Sequence, residues 1–250
     1  MNRLKLASVL WPVVANSVSL QPMCFSADVS FAAAATTGLI GAVTVGKAAK
    51  LSERPLAAIP LVFGTQQAIE GFLWLALGGK HLPVSTFLLT NTYVFVALVI
   101  WPVYAPLAAA LVEQSYMRRL AMIGLALLGL VVALYGVMHI AAHPFVARVV
   151  GHSIAYTNGP PHPHLRIGAY EACACLPFVL SSHKVLRWFG VLVIAGLIAS
   201  TLVYFWTRFS VWCFFAALAS AILYLHFAIM PRPRLPSGQR HAAESGLTIR

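Results

Sequence analysis

The chain has 250 residues, 60% of them hydrophobic and only 9% charged, with a mean hydropathy of +0.83. Soluble domains carry roughly 25% charged residues, so this chain cannot cover its apolar mass in water, and an ordinary soluble enzyme, a disordered protein and a disulfide-stapled secreted domain are excluded. The formal net charge of +11 (17 Lys plus Arg against 6 Asp plus Glu) is scattered between long apolar runs, with no basic stripe interleaved with aromatics, so it fits the loops of a polytopic membrane protein and no nucleic-acid partner is expected.

The elements follow in chain order. Residues 1–22 form a poorly defined N-terminal extension: Arg3 and Lys5 precede a weakly apolar stretch broken by Pro12, Asn16 and Ser17. It fits a signal peptide, a short broken span, or a start placed upstream of a true initiator at Met23. Seven apolar runs are then candidates for the length of about 20 residues that a bilayer demands. They are Ala27 to Gly46, Leu56 to Leu77, Val84 to Leu111, Leu120 to Ala142, Ile167 to Ser182, Leu186 to Phe205 and Phe209 to Met230. The fifth is short and carries Glu171 and Pro177.

Charge counting tests that fifth span. With the N-terminus outside and seven crossings, Lys47, Lys50, Arg54, Arg118, Arg119, Lys184, Arg187, Arg232, Arg234, Arg240 and Arg250 fall inside. Only Lys80, Arg148, Arg166 and Arg208 fall outside. Removing the fifth crossing reverses the excess. The positive-inside rule therefore selects an all-α bundle of seven spans over residues 23–230, N-out and C-in. Residues 231–250, rich in Pro, Gly, Ser and Arg, read as a disordered cytoplasmic tail.

Small residues recur every fourth position in the first run (Ser26, Ser30, Ala34, Gly38, Ala42, Gly46), a ridge that lets a neighbouring helix come close. Trp74, Trp101, Tyr104, Trp188, Trp206 and Trp212 mostly lie near the run ends, as an interfacial belt would. Four cysteines include no CxxC pair, so zinc-ribbon and thioredoxin-like motifs are absent.

Ionisable residues inside a membrane are costly and mark function by default. Gln66, Gln67, Glu70 and Trp74 share one face of the second run by three-and-four spacing. Glu70 is a candidate proton-accepting or cation-binding carboxylate, or a clamp between helices. Glu171 and Asp28 fall on the same outer side, as do His139 and His143. The two histidines, at i and i+4, have the spacing of two ligands to one divalent metal such as zinc, with a carboxylate as the third; equally, they bridge helices and cap a helix end. The outer connection from His143 to Arg166 is the longest, rich in turn formers, and long enough to fold over the outer mouth.

Met23-Cys24-Phe25-Ser26-Ala27 followed by Phe31 resembles the start of a group of uncharacterised bacterial membrane proteins. Their main motif is similar to Phe63-Gly64-x-Gln66-Gln67-x-x-Glu70-Gly71-x-x-Trp74-Leu75 in the second run. Ser181-Ser182 and the stretch Ser210-Val211-Trp212-Cys213-Phe214-Phe215-Ala216-Ala217 are similar too. The resemblance spans Met23 to Met230 and favours Met23 as the start. It implies a fold and a multi-pass location in a bacterial cell (inner) membrane, and no activity.

Two functions fit this sequence. One is a membrane protein that senses, binds or carries a small or proton-linked solute through an outer-facing polar pocket of Glu70, Glu171 and His139. The alternative is a metal-dependent membrane-embedded lipid hydrolase, although the histidine pair such an enzyme would place on the last helix is missing. A small-molecule or lipid ligand is expected alongside the bilayer itself.

Overall fold

A computed structural model describes residues 26–158, 163–204 and 206–229. The extension at 1–22 and the tail at 231–250 lie outside the described residues.

The described residues form seven helical rods. Helix α1 (Ala27–Lys47) starts at Ser26, whose hydroxyl accepts from the Val29 amide at 3.4 Å, and it ends on a lysine. Helix α2 is a 27-residue rod, Leu51–Leu77, in which Pro55 and Pro60 sit at the first turns of successive helical pieces. Helix α3 (Thr86–Ala110) carries a π-helical turn over Val96–Ile100. Helix α4 (Tyr116–Ala142) is the longest uninterrupted helix, and α5 covers Pro163–Leu180. Helix α6 is Lys184–Val203; α7 runs as Arg208–Ser220 and then Leu223–Ile229.

Six of these rods are long and apolar enough to cross a membrane: α1, α2, α3, α4, α6 and α7. In α5 the apolar part is the shorter Ile167–Leu180. The outward faces are apolar in a way water would not tolerate. On α4 alone Met117, Leu120, Leu127, Leu130, Val131, Leu134 and Met138 are exposed.

In lipid, burying these chains gains little from the hydrophobic effect, so close van der Waals fit must hold the rods together. Glycines provide it. A Cβ on Gly64 of α2 would lie 2.8 Å from the Gly38 nitrogen of α1, and one on Gly41 would lie 2.5 Å from the Leu61 nitrogen. The buried stripe of α1 is Ser30, Ala33, Thr37, Gly41 and Thr44, rotated from the ridge read in the sequence, and Ala42 and Gly46 are exposed. The α3–α4 seam is tighter still. Pro102 and Pro106 have no amide hydrogen, so the carbonyls of Leu98 and Pro102 lose their usual helical donors. Those two carbonyls lie against Gly136 and Gly129 of α4.

The main core lies among α2, α3, α5, α6 and α7, around Phe63, Trp101, Phe178, Phe189 and Trp212. Trp101 and Trp212 are therefore core residues and not part of an interfacial belt, whereas Trp188 and Trp206 are exposed near helix ends. Between α4 and α5 the chain forms an antiparallel hairpin, β1 (Val146–Val150) and β2 (Ser153–Thr157), paired Val150↔Ser153 around Gly151 and His152. Gly151 takes φ +61°, which the tight turn requires. This hairpin is the one departure from the all-α expectation among the described elements. Ala147 and Ile154 bury against Leu73 and Leu89, so the strands close one end of the bundle.

Candidate functional site

Glu70 sits on α2 beneath that hairpin and is buried, 2% exposed. The four elements around it each supply a polar group. From α2 itself, the Gln67 amide donates to Oε2 at 3.3 Å. From α7, the Ser210 hydroxyl donates to Oε1 at 2.5 Å. From β2, the Tyr156 hydroxyl donates to the same Oε1 at 3.3 Å. From α3, Tyr93 stacks flat on Tyr156, with ring centres 4.8 Å apart. All three donors to the carboxylate are neutral. An ionised carboxylate in such a place depends on those donors, because burying charge without compensation is costly.

One turn earlier, Gln66 completes a second layer. Its carbonyl accepts from the Trp101 indole at 2.7 Å, and its amide donates to the Cys213 thiol at 3.4 Å. Two buried polar atoms in this layer have no partner at hydrogen-bonding geometry: Gln67 Oε1 and the Tyr93 hydroxyl. Below it lies an apolar cavity of about 30 Å³, lined by Phe63, Trp101, Tyr170, Trp212 and Cys213 among others. That is room for one or two waters.

The second-run motif now has a physical content. Phe63 stacks on Trp101 at 4.0 Å. Gly64 admits the α1 backbone, and Gly71 admits the Phe31 ring, 2.8 Å from where a Cβ would be. Gln66, Gln67 and Glu70 face inward, and Trp74 packs beside Ala33, Val211 and Phe214.

The other sequence candidates do not converge on Glu70. Asp28 is exposed at the start of α1. Glu171 is half-buried on α5, where the charge of Arg208 acts on it. His139 is buried, and its Nε2 lies 2.7 Å from the Asn158 carbonyl. A carbonyl only accepts, so Nε2 carries the proton and is committed. His143 is exposed, its ring 5.3 Å from that of His139. Among the described residues, no group of three or more His, Cys, Asp or Glu side chains is placed to hold a metal ion. His139 instead anchors the hairpin, together with Asn91, which donates to the Phe145 carbonyl at 3.3 Å and accepts from its amide at 2.9 Å.

Three residues of the Glu70 site escaped the sequence reading. Ser210 stood in a stretch that was recognised, without a role. Tyr93 offered no signal. Tyr156 lies on a strand whose cue was present, since β-branched and aromatic residues flank Gly151-His152 at hairpin spacing.

A second polar node closes the opposite end. Glu113, between α3 and α4, is buried and accepts from the Ser181 hydroxyl (3.1 Å), the Ser182 hydroxyl (2.5 Å) and the Ser182 amide (2.8 Å). The Gln114 and Ser115 amides also donate to it. Burial pushes its carboxyl up, but the Ser182, Ser115 and Ser181 donors outweigh that and bring it down from 4.5 to about 2. Helix α5 therefore runs from Tyr170, whose ring meets Phe209 and Trp212 of α7, to the Glu113 end. Its 18 residues span about 27 Å by helical rise.

The family described as "Family of unknown function (DUF6629)" matches residues 23–237. No curated protein and no solved structure matches the chain.

Proposed function

The chain belongs to that family of unknown function, and we propose that it is a seven-span bacterial inner-membrane protein, N-out and C-in, that works as a proton-linked sensor through Glu70. The crossing of α5 is supported by Tyr170, whose ring meets Phe209 beside Ser210 of the Glu70 site, and by Ser181, just past its other end, which meets Glu113. The orientation is supported by the excess of Lys and Arg on the Glu113 side.

The observation that carries the functional reading is the sharing of Glu70 Oε1. One donor, Ser210, belongs to the bundle; the other, Tyr156, belongs to the hairpin. A hydrogen bond to an ionised carboxylate is about twice as strong as a neutral one. Uptake of one proton by Glu70 weakens the hold on Tyr156 and loosens the hairpin. The open acceptor nearby, Gln67 Oε1, gives a water or a small polar ligand a place to bind in the loosened state. Glu171 and His139 stay outside this core, Glu171 near Arg208 and His139 at the hairpin base. Among the described residues no contact favours the metal-dependent hydrolase.

Hydrogen exchange of the amides over 146–157 tests this in detergent-purified protein. After correction for intrinsic rates, wild-type protection falls as the medium is acidified, and Glu70→Gln makes it independent of pH. A wild-type hairpin whose protection does not change with pH, or a Glu70→Gln variant that still responds, overturns the proposal.

A further inference from the structure

At the Glu113 end, two arginines from different helices reach the same turn. Arg118 of α4 donates to the Leu180 carbonyl at 3.2 Å. Arg187 of α6 donates to the Ser181 carbonyl at 3.0 Å and the Ser182 carbonyl at 3.1 Å. Each bond uses one guanidinium nitrogen, Nη1, and leaves the other N–H donors of the five available. The two heads are thus fixed on carbonyls of consecutive residues, and each keeps donors for another acceptor.

Lys184 is exposed one turn before Trp188, on the face that Arg187 shares. Arg119 is exposed beside Arg118. Over residues 112–119 and 180–188 the chain holds Arg118, Arg119, Lys184 and Arg187 against a single acid, Glu113. That acid is buried and already bonded to Ser181 and Ser182. Around the cations the surface turns apolar: Tyr116 and Met117 are each 71% exposed and Trp188 is 63% exposed. A cationic fork set in an apolar rim at a helix end matches a ligand that is anionic at its head and apolar below it.

We infer that the Arg118–Arg187 fork, with Lys184 and Arg119, is a headgroup site for an anionic phospholipid. The phosphodiester takes the free guanidinium donors, and the acyl chains lie along Met117, Trp188 and the outward faces of α4 and α6. The site takes the helices as membrane-spanning but is independent of Glu70.

The test is the unfolding midpoint of the full chain in neutral detergent, with and without added lipid. Phosphatidylglycerol raises the wild-type midpoint by about 5 °C at concentrations well above its dissociation constant. Phosphatidylcholine and inorganic phosphate at equal phosphate concentration do not. The Arg118→Gln, Lys184→Gln double variant loses the rise relative to its own lipid-free baseline, while Arg118→Lys keeps most of it. Arg148→Gln, at the hairpin end, and Glu70→Gln keep all of it, so failure here is separable from failure of the Glu70 reading. An equal rise with phosphatidylcholine or with inorganic phosphate, or a rise that persists in the double variant, overturns the inference.

Discussion

The seam between α3 and α4 makes the sharpest demand on a single residue. A Cβ built on Gly129 falls 1.9 Å from the Pro102 carbonyl oxygen and 2.6 Å from its carbon. Ordinary contact begins at 3.4 Å, so Gly129→Ala must part the helices by about 1.5 Å along that line. The carbonyl cannot turn away, because it belongs to a helix backbone held between a π-helical turn and Pro106. Overpacking of this kind costs about 3 kcal/mol. Gly124, on the same helix, faces open space, and alanine there gains up to about 1 kcal/mol from backbone propensity. Gly136 is intermediate, with its nearest neighbour at 3.4 Å. Thermal unfolding in one detergent should then rank the alanine variants Gly124, Gly136, Gly129, with the extremes separated by roughly 10 °C. If Gly129→Ala melts with Gly124→Ala, the close approach of α3 and α4 is refuted.

Other outcomes follow from the polar nodes. Glu113 has a carboxyl near 2 when folded against 4.5 when free, so its contribution is full above the free value and is lost as pH falls from there toward 2. Glu113→Gln should remove that acid-dependent loss from a pH series of unfolding midpoints, and a series that stays the same in the variant counts against the clamp. Asn91→Ala strips the Phe145 amide of its partner, at a cost of about 1–3 kcal/mol. The hairpin amides should exchange faster in that variant while those of α6 hold. Tyr156→Phe should release the hairpin while leaving the Ser210 bond intact, giving fast exchange at every pH; protection equal to wild type would mean that Tyr156 does not hold the strand.

The rods were legible in the sequence because lipid imposes one requirement, a run of apolar residues of fixed length, and α1, α2, α3, α4, α6 and α7 meet it. The inward face of α2 was legible for the same reason, since Gln66, Gln67 and Glu70 share a side that lipid rejects. What surrounds Glu70 was not. Ser210 and Tyr156 lie 140 and 86 residues away in sequence, and no periodicity joins them to α2. Glu113 was passed over because it lies in a loop, where a carboxylate is ordinary; only the fold brings Ser181 and Ser182 to it. The His139–His143 spacing pointed to a metal, but the left-handed turn at Asn158, φ 72°, delivers its carbonyl to His139 instead. The small-residue ridge of α1 was legible in its middle, where the backbone of Ala34 and Gly38 comes against Gly64, but not at its end, where Ala42 and Gly46 are exposed and Gly41 and Thr44 are buried instead.

The central claim is that Glu70 exchanges a proton inside the folded bundle. Infrared difference spectra between two pH values, recorded on protein in lipid, read that exchange in the carbonyl stretch of a protonated carboxyl group. A band present in wild type and in Glu171→Gln but absent in Glu70→Gln is the result this account predicts. Difference spectra that are the same in wild type and Glu70→Gln would contradict it.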